Sequence, residues 1–273
     1  MKVKTIMAAA LLSCSFFTAK AQTGPYIGVT SSYNATWVLD QKLFDDQNYD
    51  SRSTWDDSPI GFTVGYKFSR NTNFQIELNK NTMGAEYDIL GSQVYDGERT
   101  VIGEKNIEIK YWSVPVLYKL TTGDKVRFNF HLGPQFSFLT EGKEVNEFTS
   151  TGILKITPNG TDLTAADAAS HPNTTTTDPE IRSKSALYQQ GENDERATKD
   201  DFNQTDIGAL LGLGLEADII GNLYISGNVR VYYGFKDIRS DARKAEAESR
   251  GYYDSRNNAT VGFQVGLHYR FDL

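Results

Sequence analysis

Thr260-Val261-Gly262-Phe263-Gln264-Val265-Gly266-Leu267-His268-Tyr269-Arg270-Phe271 alternates without a break. Val261, Phe263, Val265, Leu267, Tyr269 and Phe271 share one parity, and Thr260, Gly262, Gln264, Gly266, His268 and Arg270 share the other. Successive side chains of an extended strand point to opposite faces, so the segment is a strand with one wholly apolar face and one polar, glycine-rich face. On a helix the same residues would be spread over every side.

The pattern recurs upstream. Over 223–235, Leu223, Ile225, Val229, Val231, Tyr233 and Phe235 oppose Tyr224, Ser226, Asn228, Arg230 and Tyr232. Over 207–219, Leu211, Leu213 and Leu215 oppose Gly212, Gly214, Glu216 and Asp218, and over 126–138 Val126, Phe128, Phe130, Leu132, Phe136 and Phe138 oppose Arg127, Asn129, His131, Gln135 and Ser137. Ile60, Phe62, Val64, Tyr66 and Phe68 make another strand, Phe74, Ile76 and Leu78 a further one, and Ile27, Val29, Tyr33 and Trp37 a first. The fourth strand changes phase: Ile107, Ile109 and Tyr111 share one parity, while Trp112, Val114, Val116, Tyr118 and Leu120 share the other. A β-bulge near Tyr111 is expected to reconcile the two halves.

Connection lengths extend the argument. Arg70-Asn71-Thr72-Asn73, Thr121-Thr122-Gly123-Asp124 and Gly221-Asn222 are tight-turn sequences, whereas 39–58, 84–105, 143–200 and 236–256 are long. The expected fold is therefore all-β: an eight-stranded antiparallel up-and-down transmembrane β-barrel with short periplasmic turns and long extracellular loops. A soluble sandwich or lipocalin-like barrel also alternates, but it carries its charges outside. Here the polar parity is small and glycine-rich with scattered charges, as in a narrow filled lumen. Trp37, Tyr66, Trp112, Tyr118, Tyr233, Tyr269 and Phe271 lie near strand ends, where interfacial girdles form.

At the N-terminus Lys2 and Lys4 precede an apolar stretch from Ile6 to Phe17, followed by Ala19-Lys20-Ala21. This is the layout of a signal peptide over residues 1–21, cleaved so that the barrel domain occupies 22–273, with 143–200 as a long extracellular loop. A lipoprotein-type cleavage at Cys14 is the alternative, although Leu12 fits that motif poorly. The stretch falls short of the roughly 20 apolar residues a spanning helix needs. Cys14 is the one cysteine and would leave with the peptide, so no disulfide is expected. Losing Lys2, Lys4 and Lys20 lowers the 28 basic residues to 25 against 35 acidic ones, a net charge of −10, and nucleic acid is not expected as a partner.

Tyr111-Trp112-Ser113-Val114-Pro115-Val116-Leu117-Tyr118-Lys119, Gly133-Pro134, Asp206-Ile207-Gly208, Gly212-Leu213-Gly214-Leu215-Glu216, Tyr233-Gly234-Phe235, and Asn257-Asn258 before a terminal strand ending Tyr269-Arg270-Phe271 form a set of motifs spread over nearly the whole barrel region. On these motifs the chain resembles the PorT-like, small outer-membrane β-barrel family of Bacteroidota. The resemblance implies an outer-membrane location and the barrel fold, and it implies no defined activity. Outer-membrane lipid, the barrel-assembly machinery during biogenesis, and an envelope or surface protein are the partners expected.

Charged residues on the polar parity are the candidate site. Lys67, Lys119, Arg127, Arg230 and Arg270 face Glu77, Glu108, Asp206, Glu216 and Asp218, a near balance expected to form a salt-bridged plug. A narrow channel for small solutes or ions, gated by one such pair, is the alternative. A lipid-modifying enzyme is the third option, with His131 or His268 as base beside Ser113 or Ser137, but no Ser-His-Asp spacing supports it. No catalytic residue, cofactor or metal is therefore assigned. Asp46-Gln47-Asn48-Tyr49-Asp50 and Asp57 partly match a calcium loop, but Ser51 stands where its turn glycine belongs, and a solvated acidic loop is expected.

Overall fold

A computed structural model of the chain describes residues 23–95, 98–148, 193–249 and 254–271. The expected signal peptide lies outside them, as do residues 149–192 of the long loop. Eight long strands pair antiparallel in a closed ring: β1 (Gly24–Leu39), β3 (Thr54–Lys67), β4 (Thr72–Tyr95), β5 (Glu98–Gly123), β6 (Val126–Phe148), β8 (Thr205–Ile220), β9 (Leu223–Gly234) and β10 (Asn257–Arg270). Each pairs with its neighbour along the chain, and the terminal strand closes on the first, from Tyr26↔Arg270 to Leu39↔Asn257. Two short strands stand beside this ring. β2 (Tyr49–Arg52) pairs with β4, and β7 (Asn193–Ala197) pairs with β6.

One end of the ring carries tight turns. Phe68 N donates to Thr72 O at 3.0 Å between β3 and β4, and Gly221 turns the chain between β8 and β9 at φ 55°, a left-handed conformation that costs glycine little. The other end carries the longer connections, with helices α1 (Gln41–Asp45) and α2 (Asp241–Ser249). These ends are called the turn end and the loop end.

The outward face is apolar on all eight strands. Val29, Val64, Ile76, Trp112, Phe136, Leu213, Val229 and Phe263 are each from about two-fifths to three-fifths exposed, and large apolar neighbours continue the band above and below them. Soluble monomers do not sustain such a belt, whose transfer from water to hydrocarbon is favourable throughout. Aromatic pairs mark its two rims. Tyr66–Phe68 and Tyr269–Phe271, with ring centroids 5.1 and 5.0 Å apart, sit at the turn end; Tyr33 stacks on Trp55 at 4.9 Å nearer the loop end, with Tyr233–Phe235.

The bulge expected in β5 lies instead in β6. Lys110 pairs with Glu141 and Tyr111 with Leu139, leaving Thr140 as the extra residue, and its hydroxyl donates to Lys110 O at 2.9 Å. Strand β5 keeps one parity throughout: Ile107, Ile109, Tyr111, Ser113, Leu117 and Lys119 all point inward. Its apolar residues change sides because the environment changes, from hydrocarbon outside the belt to an apolar core inside the loop end. That core joins Val38, Met83, Ala85, Tyr87, Ile107, Ile109, Tyr111, Leu139, Phe202 and Ile238. The spans 39–58 and 84–105 are accordingly not loops for their full length. Strands β4 and β5 continue as a hairpin to Tyr95 and Glu98, and α1 and β2 occupy the former span. Inward-facing Met83, Ala85 and Tyr87 give this extended wall a reason to form.

Candidate functional site

The lumen is filled in three layers. Gly28, Gly65 and Gly212 make room for them: a Cβ at these positions would fall 2.2 Å from His268 Nδ1, Tyr26 Cζ and His131 Nε2 respectively. Small residues on the polar parity are therefore the sockets into which rings from neighbouring strands fit.

At mid-height Arg230 on β9 meets Glu77 on β4, which stands diametrically opposite in the eight-membered ring. The pair is bidentate, with Nη1 to Oε2 and Nη2 to Oε1 both at 2.7 Å. Glu77 also accepts from Gln75 Nε2 at 2.5 Å, Asn79 Nδ2 at 3.0 Å and Gln264 Nε2 at 3.2 Å, and its side chain is fully buried. Parallel N–H donors matched to a carboxylate give the strongest kind of protein ion pair. Around this brace His131 Nδ1 meets Asn129 Oδ1 at 2.9 Å, Asn129 Nδ2 donates to Asn228 Oδ1 at 3.0 Å, and Tyr26 donates to Gln75 Oε1 at 2.9 Å.

Near the turn end a chain of ion pairs runs from Lys119 to Glu216, then to Arg127 (Nε–Oε2 3.2 Å), Asp218 (Nη1–Oδ2 2.8 Å) and Arg270 (Nη2–Oδ1 3.3 Å). Arg127 and Arg270 both lie over the Tyr224 ring, 5.5 and 5.1 Å from its centroid, and that ring stacks on His268 at 4.8 Å. Lys67 is buried in this layer.

At the loop end the apolar core is capped by a second diametric brace. Arg256, just before β10, reaches Asp40 beyond β1 (Nε–Oδ2 2.5 Å) and Glu144 on β6 (Nη1–Oε2 3.1 Å), on opposite sides of the mouth, and Glu144 also pairs with Lys105. Burial disfavours the Arg256 cation, but the Glu144 and Asp40 carboxylates outweigh it and hold the guanidinium above its ordinary pKa. Below, Asn258 Nδ2 donates to Asp206 Oδ2 at 2.9 Å, as does Tyr232 Oη at 3.0 Å.

Nine of the ten charges expected in the lumen are there, Asp206 among them. Glu108 is the correction: it lies on the outer wall near the loop end, 3.1 Å from both Lys110 and Lys143. The constant parity of β5 turns Ile107 and Ile109 inward and Glu108 outward. The Asp40–Arg256–Glu144–Lys105 brace is not legible in the sequence pattern, because its members fall in or beside the long connections between strands. The signal available was continued alternation in Met83-Gly84-Ala85-Glu86-Tyr87, beyond the end of the outward apolar run.

Neither histidine is set up as the base of a serine relay. Ser113 and Ser137 share a hydrogen bond of 3.0 Å with one another, and His268 Nε2 meets Ser226 Oγ at 2.9 Å with no partner at Nδ1 among the described residues. A catalytic base is normally oriented by a third group at that position. Tyr49 and Asp50 belong to strand β2, paired with Ile89 and Asp88, so the Asp46–Asp50 stretch is in part extended strand rather than the closed turn of a calcium loop.

A family model described as outer membrane protein beta-barrel domain matches residues 20–240. No curated protein sequence matches the chain significantly. Among solved structures, Neisserial surface protein A (NspA) is 10% identical, covering 91% of this chain and 97% of its own, with a TM-score of 0.41. OprG from Pseudomonas aeruginosa is 10% identical over 93% and 98% of the two chains, with a TM-score of 0.42. Ail of Yersinia pestis, in complex with the heparin analogue sucrose octasulfate, is 11% identical over 90% and 99%, with a TM-score of 0.37.

Proposed function

Because the chain belongs to the outer membrane protein beta-barrel domain family, we propose that it is a closed outer-membrane barrel whose lumen is a fixed brace rather than a passage. Its work is then structural or interactive, done by the surface it presents at the loop end. In this reading the turn end faces the periplasm and the loop end the exterior, the usual polarity of bacterial barrels.

The observation that carries the proposal is the Glu77–Arg230 bridge across the full diameter at mid-height. An ion crossing this layer must separate a bidentate pair held by three further amide donors, in a barrel only just wide enough to be filled by side chains. The apolar core and the Arg256 brace add two further barriers toward the loop end. Above the bridge, a cavity of about 40 Å³ lined by Asn34, Asp56, Asn79, Gln135 and Arg230 has room for a water or two and no more.

Purified, folded protein in a planar bilayer is expected to show no steady single-channel conductance. Steady conductance, abolished or altered by substitution of Arg230, would overturn the plug and establish the channel. The motifs around Tyr111–Lys119 also support a PorT-like affiliation. Co-purification from the native outer membrane would test for a stoichiometric envelope partner.

A further inference from the structure

The outward belt is not evenly filled. Across β9, β10 and β1 the ladders align three rows of outward side chains: Ile225, Leu267 and Val29, then Gly227, Val265 and Ser31, then Val229, Phe263 and Tyr33. The first and third rows are bulky throughout. The middle row offers only a glycine, a valine and a serine, so it is a furrow between two ridges. At its β9 end Phe263 leans over the glycine, its ring 3.4 Å from where a Gly227 Cβ would stand, so the open part of the furrow lies on the turn-end side. Strand β3 deepens the relief at the other end. Its pairing with β1 passes from Gly61↔Thr30 directly to Ser58↔Ser32, and Ile60 stands in that irregularity. The result is a groove of about 550 Å³ walled by Ile225, Leu267, Val29 and Ile60. Its floor is Val265 with the main chain at Thr30, Gly266 and Ser226; the Thr30 and Ser226 side chains are buried on the lumen side.

The groove is continuous with the apolar belt, and in an outer-membrane barrel that belt faces hydrocarbon, so an apolar chain fills it rather than water or a polar ligand. We propose that it is a binding groove for one acyl chain of a phospholipid from the leaflet at the turn end. A flat stretch of belt touches a fluid chain on one side, whereas a furrow between ridges touches it on three, and dispersion contacts add along its length. The direction of the furrow selects the leaflet. It crosses strands that tilt by about 35–45° in such barrels, so it slants through the bilayer instead of lying in its plane. Ile225 is the next outward residue after Leu223, where β9 leaves the turn end, but on β3 Phe62, Val64 and Tyr66 all separate Ile60 from that end. The groove therefore lies nearest the turn-end surface at β9 and deepest in the membrane at β3, the path of a chain entering from that surface. Only the identification of this leaflet as periplasmic rests on the orientation proposed above.

The folded protein, stripped of lipid in non-ionic detergent, would be titrated with palmitoyl-oleoyl phosphatidylethanolamine and read by native mass spectrometry. A saturable adduct of one lipid on one barrel is expected. Dihexanoyl phosphatidylethanolamine, with the same headgroup and short chains, should not form it at the same concentrations. Ser31→Leu and Val265→Phe each fill the groove with apolar bulk on a face that already meets hydrocarbon, and each should weaken the adduct about tenfold or more. Two fillers are used so that one remains if the other fails to fold, which heat-modifiable migration on a gel reports. Val114→Leu, on β5 across the barrel, should bind as the parent does. Absence of a saturable adduct, an equal adduct with the short-chain lipid, or unchanged binding by the folded fillers would overturn the groove. So would a dimer that the fillers abolish, which gives the furrow to a second copy, or tighter binding of lipid A, which moves the chain to the other leaflet. None of these readouts depends on whether the lumen conducts, so failure here leaves the plug standing and failure of the plug leaves the groove.

Discussion

Replacing Arg230 by methionine should be among the most destabilising single changes in the barrel. Glu77 would lose both 2.7 Å bonds from the guanidinium while its carboxylate stays fully buried. Removing one partner of a buried pair costs about 3–5 kcal/mol, most of it the penalty of an uncompensated charge. Three amide donors, from Gln75, Asn79 and Gln264, remain on the carboxylate and offset part of that penalty, so about 3 kcal/mol is expected. The double variant Glu77→Gln/Arg230→Met leaves no buried charge and should recover most of the loss. Reversible urea unfolding in lipid vesicles, read by the fluorescence of Trp37, Trp55 and Trp112, measures all three proteins. A loss under about 1 kcal/mol for Arg230→Met, or a double variant no better than the single one, would refute the idea that a desolvated ion pair braces the lumen.

Other positions separate the faces of the wall. Val265→Arg, in the outward belt between Phe263 and Leu267, should cost about 2–4 kcal/mol in the same vesicle assay if the belt faces hydrocarbon, and almost nothing if it faces water. Glu108→Gln should change stability by less than about 0.5 kcal/mol, since its partners Lys110 and Lys143 are partly solvated on the outer wall; a larger loss would return Glu108 to the lumen. Arg256→Met should loosen the loop-end cap by about 1.5–3 kcal/mol while Asp40 keeps its bonds to Lys42 N and Leu43 N and Glu144 keeps Lys105. Hydrogen exchange should then quicken at Ile238 and Ser240, whose backbone bonds reach Arg256 and Asp201, and stay slow in the belt strands; uniform quickening would mean the brace supports the whole barrel.

What the chain's sequence determined by itself is the part that local periodicity can carry. A period of two along 260–271 and its repeats upstream specify strands and their two faces, and the turn sequences around Asn71, Gly123 and Gly221 specify where three of the hairpins close. The charges of the mid-height and turn-end layers are legible on the same basis, whereas Glu108 falls outside and the loop-end Asp40, Lys105, Glu144 and Arg256 are not legible in it.

Tertiary structure decided everything that depends on height and on pairing across the ring. Parity cannot reveal where hydrocarbon gives way to water, so Ile107 and Ile109 looked like a phase error in β5 until the apolar core inside the loop end gave them a destination. Pairing across the lumen is equally non-local: Glu77 and Arg230 lie 153 residues apart, and only ring closure sets them opposite one another. The chain of ion pairs at the turn end has the same origin, because Lys119, Arg127, Glu216 and Arg270 come from four strands whose order around the ring no short stretch of sequence encodes.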